Sequence, residues 1–324
     1  MVNGIIIINP FLLPKESVHQ AERLKEEFNH LGANCQIVST GYLKTRLKNG
    51  CLETDFSYLD FVIYLDKDKY LSQILEKTGV RLFNSHDSIR ICDDKAETYI
   101  ALANKGFNLP NTIFGALCYS DNCAIQDDRV NEIAKILSYP VIVKECYGSM
   151  GKGVYKADDF TSLKSVMEKV KTKPHLFQEF IKTRSGVDVR LIVIGGKVVG
   201  AMERRNDSDF RSNVARGGNG VKIIPPKSFI ETAERIANEL KLDYCGIDLL
   251  YGENLEPIVC EVNSNAFFEG ISRSRRTLSL TFECCPTPFT LTSCAIRPDW
   301  TRVCGTMFSV FHRRGSFWSI CGSC

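Results

Sequence analysis

The sequence predicts an α/β N-terminal domain followed by an α+β fold of two lobes, and three observations predict it. Short apolar runs alternate with helical patterns up to about residue 88, the order of a small open parallel sheet. From residue 112 onward, strands, helices and glycine turns follow in mixed order, without internal repeats. Finally, Cys245 to Tyr251 and Pro257 to Val262 are apolar runs flanking a Gly-Glu-Asn turn, which reads as a β-hairpin carrying acids.

Residues 2–9 read as a buried first strand, because Ile5 to Ile8 is too short for a secretion signal, lacks a basic start and is ended by Pro10. Ser17 to Leu31 has the spacing of an amphipathic helix that stops near Gly32. Cys35 to Ser39 and Phe61 to Leu65 read as further strands, with helical Tyr70 to Lys77 before the strand Val80 to Phe83. Asp94-Lys-Ala-Glu97 opens a helix with Asp94 as its cap; it runs to about Lys105 and Gly106 ends it. The order expected from 112 to 180 is strand, helix (Val130 to Leu137), strand (Val141 to Glu145), glycine-rich loop, strand (Val154 to Lys156), helix (Phe160 to Val170), strand (Leu176 to Phe180). Val189 to Ile194 and Lys197 to Met202 form a hairpin through Gly195-Gly196. An irregular polar stretch over 203–220 and a helix over 228–240 precede the last hairpin.

Folded about its middle, that last hairpin sets Asp248 opposite Glu261, and Asn263, two residues on, shares their face. Two carboxylates about 5 Å apart repel by roughly 3 kcal/mol at an effective dielectric near 20. A hairpin built only for stability would avoid that pairing. A divalent cation removes the problem, and an all-oxygen Asp/Glu/Asn set suits magnesium holding substrate phosphates. The alternative is an edge hairpin whose acids face water.

Pro140-Val-Ile-Val-Lys144 is an apolar strand that ends on a cation and runs into Gly148-Ser149-Met150-Gly151-Lys152-Gly153. Three glycines in six residues let backbone N–H groups curl around an anion, with Ser149 and Lys152 as further donors. The spacing is neither a P-loop nor a dinucleotide fingerprint. A plain hairpin turn is the competing reading; beside Lys144 a phosphate lid is favoured. Phe177-Gln-Glu-Phe-Ile181 can hold adenine against Phe180 while backbone groups and Glu179 read its edge, or it is an amphipathic strand with Glu179 in solvent. Asp188 and Arg190 begin the next strand as a charge pair on one face. In the polar stretch, Arg211 suits a transferring phosphoryl or a carboxylate because its fork donates two parallel bonds. Arg204 and Arg205 read equally well as a solvated cluster and receive no role.

The net charge of +3 is unevenly spread. Residues 271–324 hold seven Arg, no Lys and two acids, which leaves the rest of the chain at −2 and gives no ground for a nucleic-acid partner. No run is long enough to cross a membrane. Eight of the 14 Cys are scattered before residue 271 without zinc-like spacing, as expected of reduced thiols in a cytoplasmic protein. The other six fall after it, beside fifteen Ser/Thr. A translated frameshift would produce so abrupt a change, and 272–324 is read as an atypical tail outside the native core.

Cys92-Asp-Asp-Lys95, Val143-Lys144 with its glycine-rich loop, Gln178-Glu-Phe-Ile181, Val187-Asp-Val-Arg190, Asp209-Phe-Arg-Ser-Asn213, Gly246-Ile-Asp248 and Cys260-Glu-Val-Asn263 together resemble the RimK-like branch of the ATP-grasp ligases, the α-L-glutamate ligase type. The resemblance covers roughly residues 84–271. It implies an ATP-grasp fold with a small α/β domain over 1–88, a small lobe over 89–187 and a large lobe over 188–271. It also implies that Lys144, Glu179, Phe180, Asp188, Arg211, Ser212 and Asn213 contact ATP, with Lys95 reaching its phosphates. Gly148, Ser149, Gly151 and Gly153 would belong to the lid, and Asp248, Glu261 and Asn263 would hold two magnesium or manganese ions. The implied activity is an ATP-dependent carboxylate–amine ligation through an acylphosphate, adding L-glutamate to a protein or small-molecule acceptor, with Arg211 on the transferred group. A ligase for another amino acid or carrier, or a non-catalytic nucleotide-binding relic disabled by its tail, are the alternatives. Family members continue past Glu269-Gly-Ile271 with a Thr-Gly turn and a closing amphipathic helix, neither of which is legible here.

Overall fold

The apolar run near the N-terminus forms β1 (Asn3–Ile8), an inner strand of a four-stranded parallel sheet ordered β2-β1-β5-β6. The structure is a computed structural model, and it describes residues 2–11, 15–213 and 217–267. Helix α1 (Lys15–His30) leads to β2 (Asn34–Val38), and α2 (Lys69–Lys77) connects β5 (Phe61–Leu65) to β6 (Leu82–Phe83). The Asp68 carboxylate caps α2 by accepting from the Tyr70 and Leu71 N–H groups. Between β2 and β5 lies a hairpin that the sequence reading did not find, β3 (Thr45–Lys48) and β4 (Cys51–Thr54). Its turn is Asn49-Gly50 with both φ positive (50° and 79°), a twist-matched hairpin turn. The strands are mostly exposed, so no apolar alternation marks them.

Helix α3 (His86–Asp93), also unforeseen, is followed directly by α4 (Lys95–Leu102). Asp94 caps α4 as expected, accepting from the Ala96 and Glu97 N–H groups. The helix stops at Leu102 rather than near Lys105, because Asn104 turns to φ 60° two residues before Gly106, and the Arg235 guanidinium donates to the Lys105 carbonyl. Strands β7 (Thr112–Phe114), β8 (Val141–Glu145), β9 (Val154–Ala157) and β10 (His175–Glu179) then form an antiparallel sheet ordered β7-β10-β8-β9. Helices α5 (Asp127–Leu137) and α6 (Phe160–Val170) cover one face of it, packing Val130, Ile133, Leu163 and Met167 on Val141, Val143 and Phe177. Alternation then turns Ile142, Lys144 and Gln178 to the opposite face.

The third sheet is antiparallel with order β13-β12-β11-β14-β15, built from β11 (Val187–Ile194), β12 (Lys197–Arg205), β13 (Asn219–Lys222), β14 (Tyr244–Tyr251) and β15 (Pro257–Asn263). Gly195 and Gly196 turn β11 into β12 as predicted, with φ of 59° and 79°. Helix α7 (Lys227–Glu239) packs Phe229, Ala233 and Ile236 against Val189, Leu191, Val193, Ile247 and Leu249. On the other face, Ile192, Ile194, Met202 and Tyr244 share a core with Ala21, Leu24 and Phe28 of α1, so the N-terminal domain rests on one end of this sheet. Asn84, fully buried, fastens the two. Its amide donates to the Tyr244 and Ser264 carbonyls and accepts from the Asp243 and Tyr244 N–H groups. The stretch read as irregular over 203–220 is partly strand, since β12 continues to Arg205 and β13 begins at Asn219. The atypical tail expected from residue 272 lies outside the described residues.

Candidate active site

The uncovered end of the third sheet carries a row of charges. Asp248 of β14 stands opposite Glu261 of β15, the register expected from the sequence, and on its other side opposite Arg190 of β11. Asp188, two residues before Arg190, stands opposite Arg204 of β12. Arg190 donates from Nε and Nη2 to the two Asp248 oxygens, both at 2.7 Å. Arg204 donates to Asp188 through Nε at 2.7 Å and again through Nη2, and Nη2 also lies 2.8 Å from Asp248.

Two sequence-based readings are corrected here. Arg204 is no solvated residue; it is 3% exposed and joins two buried carboxylates, whereas its neighbour Arg205 is exposed and pairs only with Asp207. The repulsion between Asp248 and Glu261 is relieved within the protein, by two guanidiniums on Asp248 and by the Lys95 ammonium 3.3 Å from Glu261. Repulsion alone is therefore no argument for a cation. Burial pushes the Asp248 carboxyl up, but Arg190 and Arg204 hold it down by more, to about 2, so it is an anion at any working pH.

Lys144, the last residue but one of β8, has its ammonium 5.9 Å from the centre of the Tyr99 ring, and the Tyr99 hydroxyl donates to the Cys260 carbonyl at 2.7 Å. Burial lowers the Lys144 pKa, while Tyr99, Cys260 and Glu261 raise it by more, so this buried amine stays charged. Beyond Lys144 the glycine-rich loop joins β8 to β9 and is held from two sides. Lys95 donates to the Gly148 carbonyl at 2.8 Å, and the Arg211 Nη1 donates to the Gly151 and Val154 carbonyls at 3.3 and 3.1 Å. Arg211 is itself oriented by Asp209, which accepts from its Nε and Nη2. The Ser149 carbonyl accepts from the Lys152 N–H inside the loop. At its base, Gly153 (φ 70°) accepts from the Glu145 N–H, and a Cβ there would meet the Glu145 side chain at about 3.0 Å.

Between this loop and the charged face lies a cleft of about 930 Å³ of empty space, part of it open solvent. Lys144, Glu179, Phe180, Asp188 and the run Arg211 to Asn213 line it, as do Lys95, Gly148 and Gly151. Asp248 and Glu261 belong to its walls as well. Ser149, Gly153 and Asn263 are not among its walls. Residues the sequence reading left out also line it: Ile142, Leu250 and Cys260 give it apolar sides, and Arg204 part of its floor. The Glu179 carboxylate is engaged elsewhere, accepting from the backbone N–H and the side-chain amide of Asn111. Its backbone N–H donates to the Asn111 carbonyl, so any edge reading at Glu179 falls to its backbone carbonyl.

Among the described residues no three His, Cys, Asp or Glu side chains gather as a metal cluster. The oxygen set proposed from sequence mixes two carboxylates with an amide, and its chemistry fits a hard divalent cation. The Asn263 amide supports the fit, because its Nδ2 is buried without a hydrogen-bond partner. With the amide turned over, an acceptor oxygen would take that place on the face shared with Glu261.

The fold has known counterparts. The ATP-grasp ligase PsnB, solved with its minimal precursor, Mg and ADP, matches 96% of this chain and 98% of its own, with a TM-score of 0.63 at 15% identity, a likeness of fold. The model of the RimK-like ATP-grasp domain matches residues 92–279, and the chain belongs to that family. Human N-acetylaspartylglutamate synthase A is 37% identical over 205 residues, 63% of this chain and 51% of that protein, so the chain spans about half its length. A probable alpha-L-glutamate ligase of Psychromonas ingrahamii is 38% identical over 196 residues, covering 58% of this chain and 61% of that one. Among the described residues no helix is long and apolar enough to cross a membrane.

Proposed function

We propose that the protein is an ATP-dependent, ADP-forming carboxylate–amine ligase that adds L-glutamate to an acidic small-molecule or protein acceptor. The observation that carries this reading is the cleft between the glycine-rich loop and the charged sheet face, with six cations along it and the opposed pair Asp248 and Glu261 in its wall. Carboxylate oxygen is a poor leaving group. An acceptor carboxylate therefore attacks the γ-phosphoryl of ATP, giving an acylphosphate and ADP, and the glutamate amine then displaces phosphate to form the amide.

The chain's share is positioning and charge neutralisation. Lys144 and Lys95 lie against the phosphates, and Arg211 leaves the loop carbonyls for the transferred group. Ile142, Leu250 and Cys260 receive the base, and the glycine-rich loop covers ATP and keeps out water. Asp248, Glu261 and Asn263 would hold magnesium or manganese, two ions in our reading, which supply charge neutralisation at the phosphates when bound. Residues 1–88, 89–187 and 188–271 are, in this reading, the N-terminal domain, the small lobe and the large lobe. A cytoplasmic setting agrees with the ATP requirement and with eight described cysteines that are all free.

The names of the two relatives support glutamate as the amine substrate. The acceptor carboxylate is tested with isotope. An acceptor labelled with ¹⁸O in its carboxylate is expected to pass one ¹⁸O to the released phosphate, read by mass spectrometry. Phosphate without label, alongside amide formation, would rule out the acylphosphate route.

A further inference from the structure

Arg190 belongs to the charged face yet is not a wall of the nucleotide cleft, whereas Asp188, Arg204, Asp248 and Glu261 all are. It sits one strand from Asp248 and two from Glu261, with Ile192, two residues on, already under the N-terminal domain. Its guanidinium is therefore held on a carboxylate of the cleft without being a wall of the cleft itself. A guanidinium has five N–H donors, and Arg190 uses Nε and Nη2 on Asp248. Nη1 has no partner among the described residues, and the side chain is 18% exposed, against 4% for Arg204. Three of the five donors on this solvent-reached guanidinium, both of those on Nη1 among them, are thus left without a partner among the described residues.

The nucleotide has its own cations in Lys95, Lys144 and Arg211. A further cation, held on one of the opposed carboxylates and not itself a wall of the cleft, matches a second anionic reactant. Resting on the ligase reading above, we infer that Arg190 is the specificity residue for the acceptor. It binds the carboxylate of a small dicarboxylate or of an acidic chain end and presents it to the γ-phosphoryl. Asp248 orients the guanidinium through its fork, and the free Nη1 edge takes the substrate oxygen. Gly246 sits beside it on β14 without a side chain, and a Cβ there would come within 3.9 Å of Arg190 Nε.

The test is calorimetric titration of glutarate, succinate and uncharged glutaramide into the full chain holding magnesium and a non-hydrolysable ATP analogue. The wild type is expected to bind the two dicarboxylates and not glutaramide. Arg190→Gln is expected to weaken that binding by more than about thirtyfold, and Arg190→Lys, which keeps the charge beside Asp248, by about tenfold. Affinity for the ATP analogue is expected to fall by less than dicarboxylate affinity does in either variant. Equal dicarboxylate affinity in wild type and both variants would overturn the assignment, as would dicarboxylates that bind the wild type no better than glutaramide. ADP release from ATP is read separately in the wild type. Its absence would count against the ligase reading and leave the binding comparison to decide Arg190.

Discussion

Arg204 on β12 reaches across the intervening strand to lie 2.8 Å from Asp248 on β14. On the way it binds Asp188 of β11, so one buried cation fixes the spacing of two carboxylates along the floor of the cleft. Removing one partner of such a group is costly, because the remaining charges stay buried without compensation. Arg204→Met is therefore expected to destabilise the fold by about 3–5 kcal/mol, measured by urea unfolding. Adding Asp188→Asn is expected to recover part of that loss. A single variant as stable as the wild type would show that the ion pairs are not maintained in solution.

Asn84 predicts a second large effect, far from the chemistry. Its four hydrogen bonds go to backbone groups where β14 begins and just after β15 ends. Asn84→Ala leaves those groups unpaired, at a cost of at least about 3 kcal/mol. The loss is expected to appear in thermal unfolding, and a melting temperature within a degree or so of wild type would contradict it.

For Lys144→Ala, ATP affinity is expected to fall about ten- to a hundredfold, the worth of a charge-assisted contact in a cleft poor in water. Calorimetry with the ATP analogue checks this, and unchanged affinity would remove Lys144 from the phosphate site.

Glu145 sets an acid limit at the base of the glycine-rich loop. Burial pushes its carboxyl up, but Lys173 and Tyr155 hold it down by more, so its folded pKa is below the ordinary value of 4.5. A group depressed in this way stabilises the fold above its unfolded pKa, and the contribution is lost as pH falls through the folded pKa. The stability gap between wild type and Glu145→Gln is expected to be full at pH 7 and to close on acidification below pH 4.5. A gap that stays constant with pH would mean Glu145 gains nothing from its charge.

The hairpin that carries Asp248 and Glu261 was legible in the sequence because two apolar runs and a short turn leave only one fold-over, and strand alternation then assigns the faces. The glycine-rich loop and the cap of α4 were legible for similar local reasons. Arg190 and Arg204 were not read as partners of Asp248, since their pairing depends on which strands are neighbours across three segments of chain. Arg204 and Arg205 look alike in sequence, and only the register of β12 on β11 turns the first inward. The β3–β4 hairpin left one usable signal, Asn49-Gly50, without apolar strands to support it. The polar, short helix α3 offered Ser85 as a cap and little else.

ADP formation over a panel of amino acids and acidic acceptors, in the wild type and in Glu261→Gln, tests the central claim most directly. The substitution is nearly isosteric and removes only the charge that stands opposite Asp248. The wild type is expected to release ADP when an acidic acceptor and an amino acid, L-glutamate foremost, are both supplied with magnesium. Glu261→Gln is expected to fold normally and release none. Wild-type turnover by Glu261→Gln at saturating magnesium, or no ADP from the wild type with any pair of substrates, would contradict the account.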